Sequence, residues 1–127
     1  MRAALQQAGL TTREMDYINL HGTATQNNDI AEGKAVAAVF GNCVPNSSTK
    51  GATGHCLGAA GGLEVVIAAI ALQKQIAWGS PGTQKLDSTI PPIHYLLHNT
   101  FRPMRNVLSN SFGFGGSNCS IILGLKD

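Results

Sequence analysis

Apolar residues along the chain fall into two spacings, one close to 3.6 and one close to 2. Residues 2–8 predict a short helix stopped by Gly9. "YINL", residues 17–20, is a short run of β formers, and the polar stretch "HGTATQNND" follows it as a loop. From Asp29 to Phe40, the residues Ala31, Ala35, Val36, Val39 and Phe40 recur at helical spacing, with Asn28 as the expected N-cap and Gly41 as the stop. "NSST", residues 46–49, finishes a short strand before Lys50. Residues 57–73 predict a second long helix that is apolar nearly all round, and a helix of that kind is covered on most sides. Residues 79–105 hold four of the five prolines with no clear period and read as irregular. "NVLSNSF" and "NCSIILGL" are β-rich, and the glycine-dense "GFGGS" between them suits an antiparallel hairpin. The order is β-α-β-α, a long loop, then β-β. This is an α/β chain whose mixed, partly parallel sheet is covered by helices.

Composition sharpens that picture. Hydrophobic residues make up 43% of the chain and charged residues 13%, against a usual charged share of about 25%. Such a chain buries an unusually large area or hides surface against a partner, and 127 residues suffice for a single domain over 1–127. Left alone, it is expected to bare an apolar face and to self-associate. The net charge of +2 is too small to argue for nucleic acid. The longest apolar run, "LEVVIAAIAL", is ten residues with Glu64 inside it, too short to span a membrane. Three widely spaced cysteines, Cys43, Cys56 and Cys119, form no disulfide framework and fit reduced thiols in a cytoplasmic protein. Cys56 is expected to be a small core residue.

Three glycine-rich loops each follow an expected strand: "HGTAT" at 21, "KGATGH" at 50 and "FGFGG" at 112. Ligands of open α/β sheets bind outside the carboxyl ends of the strands, so His21, the segment from Lys50 to His55, and Phe114 are expected to converge. A phosphate loop requires its lysine after the glycines, and here it comes first. His21, His55, Cys56 and Asp29 are metal-ligand types, but their spacing matches no closed set, so no metal is expected. Asp29 is read as a helix-start residue interacting with the positive end of its helix. Two neutral imidazoles beside a cation can donate hydrogen bonds to a developing oxyanion, and the cation disfavours their protonation. That is a device for an enolate or a thioester carbonyl.

"LHGTATQNND", "SSTKGATGHCLGAAGGLE" and "SNSFGFGGSN" closely resemble three signature blocks of the β-ketoacyl-acyl carrier protein synthases, the elongating condensing enzymes of the thiolase fold. The blocks stand in that family's order and cover most of residues 17–124. The resemblance implies a thiolase-like C-terminal half. It implies that His21 and His55 are the two catalytic histidines acting on a malonyl thioester, and that Lys50 organises the site with Glu64 as its carboxylate partner. Thr23 and Thr25 would line the phosphopantetheine tunnel. Phe114 would be the gating phenylalanine, with Gly113 and Gly115 beside it at the substrate. The implied partner is acyl carrier protein, which brings its own phosphopantetheine, so no other cofactor is expected. The intact protein is expected to be a homodimer.

The resemblance also shows what this stretch lacks. The family's nucleophilic cysteine lies in the other half of the fold, and none of the three cysteines here sits in such a motif. The expectation is an N-terminal half carrying that cysteine, and an isolated chain that is inactive. Two alternatives stand beside it: the C-terminal half of a non-catalytic, chain-length-type partner subunit, or a dimerisation module. Retention of both His21 and His55 argues against the first.

Overall fold

A computed structural model describes residues 1–126. Tyr17–Asn19 forms β1, and all three of its residues are buried. It is the central strand, with β2 (Asn46–Ser47) on one side and β5 (Asn106–Phe112) on the other, both parallel to it. Parallel neighbours require long crossovers. Here α2 (Gln26–Phe40) connects β1 to β2, and α4 (Ala60–Lys74) lies between β2 and β5. β6 (Asn118–Gly124) adds antiparallel to β5 through the expected tight turn and completes the order β2-β1-β5-β6.

Alternation along the strands sends side chains to two cores. Ile18 and Leu108 face Val36 and Phe40 of α2 and Leu5 of α1 (Arg2–Ala8). Tyr17 and Val107 face Ala68, Ala71 and Leu72 of α4. The molecule is therefore a mixed sheet between helices. The carboxyl ends of the three parallel strands lie at one edge of it.

Several expectations need correcting. α2 begins at Gln26 with Thr25 as its N-cap residue, three residues before the expected Asn28, whose amide donates to the Asp29 carboxylate at 3.0 Å. Lys50 opens a single helical turn, α3 (Lys50–Thr53), rather than a loop. The second long helix is a 3-10 turn, Leu57–Ala59, running into α4. Together they are 18 residues of mean hydropathy 1.4, long and apolar enough by length and composition to cross a bilayer. The ten-residue apolar run understated that length. In the fold, the stripe Ala60, Glu64, Ala68, Ala71 and Leu72 packs inward.

α4 is also not covered all round. Val66 is 55% and Ile70 40% exposed, and Leu57 before them is exposed too. Its second face is bare. Cys56 is exposed rather than a core residue, as are Cys43 and Cys119, and all three are free thiols. Residues 79–105 are irregular apart from β4 (Thr100–Phe101), which pairs antiparallel with β3 (Ile76–Ala77), and a bridge from Tyr95 to Asn46.

Candidate active site

β1 ends where His21 begins. The loop that follows is held from below by Glu32, a buried carboxylate on the inner face of α2. Glu32 accepts the backbone N–H groups of His21 at 2.9 Å and Gly22 at 2.8 Å, and the Asn110 amide at 3.1 Å. Burial raises the Glu32 carboxyl, and these three bonds oppose the rise. Gly22 has φ of 37°, and a Cβ there would overlap the Ser48 side chain, so only glycine fits the turn.

β2 delivers Lys50 beneath His21. The lysine side chain is buried, and each of its three protons has an acceptor in reach. It forms an ion pair with Glu64, donates to the His21 carbonyl at 2.5 Å, and lies 3.3 Å from His21 Nδ1. Glu64 comes from the inner stripe of α4, where an acid among alanines would be intolerable without such a partner. The Ser111 hydroxyl donates to its other oxygen at 3.4 Å. Burial pushes the Glu64 carboxyl up, and Lys50 and Ser111 pull against it.

These contacts fix the chemistry of the rings. Lys50 presents an N–H to His21 Nδ1, which therefore acts as acceptor and leaves the ring proton on Nε2. Burial first, then Lys50, then His55, hold the His21 pKa down at about 4. The cation contributes as expected, but burial is the larger cause. His55 follows α3, and its Nδ1 accepts the Leu57 backbone N–H at 3.1 Å, an N–H at the very start of the helical run. That bond likewise assigns the second ring proton to Nε2. The two rings meet edge to face, with centroids 5.4 Å apart and planes at 88°. The result is two N–H donors side by side on a sheet edge, one buried and one exposed.

The structure brings His21, Lys50, His55 and Glu64 together, and Thr23 lines the cavity that Lys50 and His55 also line. Phe114 is fully exposed on the turn between β5 and β6. Gly113 is extended with φ of −112°, and its N–H bonds the Ser117 carbonyl at 2.7 Å, while Gly115 takes the left-handed φ of 81° that the turn needs. Thr23 and Thr25 pair their hydroxyls at 2.8 Å on the exposed side of the His21 loop. The aromatic ring that reaches the site is Phe112, centroid 5.5 Å from His21. Phe112, Glu32, Asn110 and Ser111 were missed from sequence. Glu32 had a signal: it stands four and eight residues before the apolar Val36 and Phe40, on the face that packs inward.

The family profile described as "Beta-ketoacyl synthase, C-terminal domain" matches residues 1–83. The 3-oxoacyl-[acyl-carrier-protein] synthase 2 of Rhizobium meliloti (strain 1021) is 45% identical over 97% of this chain and 30% of its own length. The crystal structure of a β-ketoacyl synthase from Burkholderia phymatum STM815 superposes with a TM-score of 0.96 at 34% identity, over 100% of this chain and 31% of that one. A ketosynthase in complex with its chain length factor, from Xenorhabdus doucetiae, gives a TM-score of 0.94 at 39% identity, over 99% of this chain and 32% of that one. The chain thus spans about a third of the length of the proteins it matches. On the match over residues 1–83, it belongs to the β-ketoacyl synthase family and corresponds to that family's C-terminal domain.

Proposed function

We propose that this chain is the C-terminal part of an elongating 3-oxoacyl-[acyl-carrier-protein] synthase, supplying the half-site that decarboxylates a malonyl thioester. The observation that carries the reading is Lys50, which bonds both His21 and Glu64 and so fixes the His21 Nε2–H as a donor beside that of His55. The malonyl C–C bond to the carboxylate breaks and carbon dioxide leaves. The electron pair passes into the enolate, whose charge gathers on the thioester oxygen. Two N–H donors held side by side at that oxygen would stabilise the charge with little reorganisation. The enolate carbon then attacks an acyl group held as a thioester on a cysteine, and the thiolate leaves.

No cysteine here is placed for that last role, so the nucleophile belongs to the remaining part of the protein. The bare face of α4 fits packing against that part. The partner is acyl carrier protein with its own phosphopantetheine, the working form a cytoplasmic dimer, and no further cofactor is used. A non-catalytic partner subunit has no use for this lysine-held pair of rings.

The test is a chimera in which residues 1–126 replace the matching stretch of the Rhizobium meliloti synthase. We expect condensation of acyl and malonyl thioesters, abolished by His21→Ala or His55→Ala. A folded chimera that decarboxylates nothing overturns the proposal, as does condensation by this chain alone.

A further inference from the structure

We infer that Ser80, held by the Tyr95 hydroxyl, is a positioning residue for the two imidazoles: it sets where the chain leaving β2 turns into α3, and so where His55 stands against His21; its effect on turnover rests on the condensing function proposed above. The His55 ring bond runs to Leu57 within its own turn. That bond orients the ring locally and does not set its distance from His21. The distance comes from α3, the single turn Lys50–Thr53: the Gly54 N–H closes on the Lys50 carbonyl at 2.9 Å, and His55 follows directly. A helix of four residues does not hold itself in place. Its direction comes from what grips its start.

Ser48 is that grip. Its hydroxyl donates to the Gly22 carbonyl at 2.8 Å, in the loop that carries His21, and accepts the Lys50 backbone N–H at 3.3 Å, at the first residue of α3. One side chain thus ties both imidazole-bearing segments together, and its own peptide has to be held for the tie to be definite. The ladder between β1 and β2 ends one residue earlier, where the Ser47 carbonyl accepts the Leu20 N–H at 2.8 Å. The Ser48 carbonyl lies past the ladder and takes its bond from the Ser80 hydroxyl at 3.0 Å.

Ser80 is built for that bond. It is buried, 4% exposed, on the irregular segment that crosses α3. A serine hydroxyl has one proton and two lone pairs. The proton goes to the Ser48 carbonyl, which can only accept. The lone pairs are left for the Tyr95 hydroxyl at 2.5 Å and the Thr83 hydroxyl at 3.2 Å, so both of these donate. With all three directions taken, the Ser80 hydroxyl has one orientation. Tyr95 is itself fixed to the outer side of β2, because the Asn46 N–H bonds the His94 carbonyl at 2.9 Å and the Leu96 N–H bonds the Asn46 carbonyl at 2.8 Å. The Leu96 carbonyl in turn accepts the Ser80 N–H at 3.0 Å. The crossing is close: a Cβ on Gly51 of α3 would collide with the Pro81 carbonyl oxygen, so the segment rests on the α3 backbone. Position therefore passes from β2 through Tyr95 and Ser80 to Ser48, and from Ser48 to both rings.

The experiment compares Ser80→Ala and Tyr95→Phe with the wild type in two ways. In this chain, NMR reads the cross-relaxation between the His21 and His55 ring protons, which edge-to-face rings with centroids 5.4 Å apart should show. Ser80→Ala should abolish that cross-peak and Tyr95→Phe should weaken it, with circular dichroism unchanged. In the chimera, Ser80→Ala should lower kcat by a factor of about 10–10² with KM unchanged, the scale of loss for a misplacement of about 1 Å, and Tyr95→Phe should lower it less. Thr89→Ala, in the same segment but bonded to Asp87 instead, should alter neither readout. Should Ser80→Ala fail to fold, Tyr95→Phe decides alone. A cross-peak absent from the wild type or intact in both variants overturns the inference, as does an unchanged kcat in an active chimera. The NMR measurement needs no turnover. An inactive chimera with a cross-peak that the variants remove sinks the condensing function alone, and an active chimera whose variants keep both cross-peak and kcat sinks the positioning role alone.

Discussion

His21 and His55 touch, yet their surroundings are opposite. His21 is buried, its backbone N–H is taken by Glu32, its carbonyl and Nδ1 by Lys50, and Phe112 lies across its ring. His55 is exposed and held through its ring by one bond within its own turn. Phe114, at the far side of the same edge, is fully exposed. The base of the site is finished inside this chain, and the rim is not. What differs is the source of support: the base draws on three strand ends and two helices, whereas the rim sits on turns, His55 after α3 and Phe114 between β5 and β6. The exposed rim adjoins Leu57 and the bare face of α4, where a covering surface would complete both at once.

The largest expected effect comes from removing the centre of the base. Lys50→Ala leaves Glu64 buried without its cation, which costs about 3–5 kcal/mol. Urea denaturation should show this loss, and Lys50→Met with Glu64→Leu should recover most of it, because an apolar pair of similar volume is often tolerated as well as an ion pair. A cost below about 1 kcal/mol for Lys50→Ala would show that the base is not anchored there. Glu32→Ala comes next. It strands two backbone donors, at about 1–3 kcal/mol each when they stay buried and less where water enters. Amide exchange at His21 and Gly22 should accelerate while amides of β6 stay protected, and unchanged exchange at those two amides would remove Glu32 from the base.

The same contrast explains what could be read from sequence. The strands were legible because Tyr17–Asn19 and Asn106–Phe112 are β formers bounded by glycine and polar turns, and the parallel order followed from the helices between them. His21, Lys50, His55 and Glu64 were legible through their motifs. Their contacts were not. Glu32 makes its bonds to a loop that becomes its neighbour only after α2 folds back, and Phe112 reaches His21 because β5 lies beside β1 in three dimensions. The start of α2 was misplaced because Thr25 caps without a side-chain bond, while Asn28, the stronger capping type, spends its amide on Asp29. The low charge of the chain pointed to a bare apolar face, but the helix that carries it, apolar nearly all round, was expected to be covered on most sides; only the sheet shows which side of α4 is packed.

A smaller effect separates the two rings by pH. The His21 pKa is held at about 4 in the folded chain against about 6.5 unfolded. Between these values the unfolded chain binds more protons, so the stability tied to this ring is complete above about pH 6.5 and is lost as the pH falls toward 4. Glu32 and Glu64, raised by burial, act with the opposite sign at the acid end. The ring's share is therefore the pH-dependent part of the difference between the wild type and His21→Asn, which should be constant above about pH 7 and shift against the wild type as the pH falls toward 4. By NMR, the C2 proton of His21 should keep its neutral shift down to about pH 5. Titration near 6.5 would place the ring in water and erase the distinction between base and rim.

The smallest expected effect lies at the rim, and it carries as much meaning as the largest. His55→Ala and Phe114→Ala remove groups that bury almost nothing in this chain, so each should leave its stability within about 0.5 kcal/mol of the wild type. In the chimera, where the rest of the synthase covers this edge, the same two substitutions should separate. On the proposed function, His55→Ala removes one of the two N–H donors and should lower kcat by a factor of about 10²–10³, the usual loss for one such donor. Phe114→Ala should instead cost stability that the isolated chain never showed, because its ring then has something to pack against. If Phe114→Ala destabilises the isolated chain as much as the chimera, the rim is already supported here, and the bare face beside it does not await the remainder of the fold.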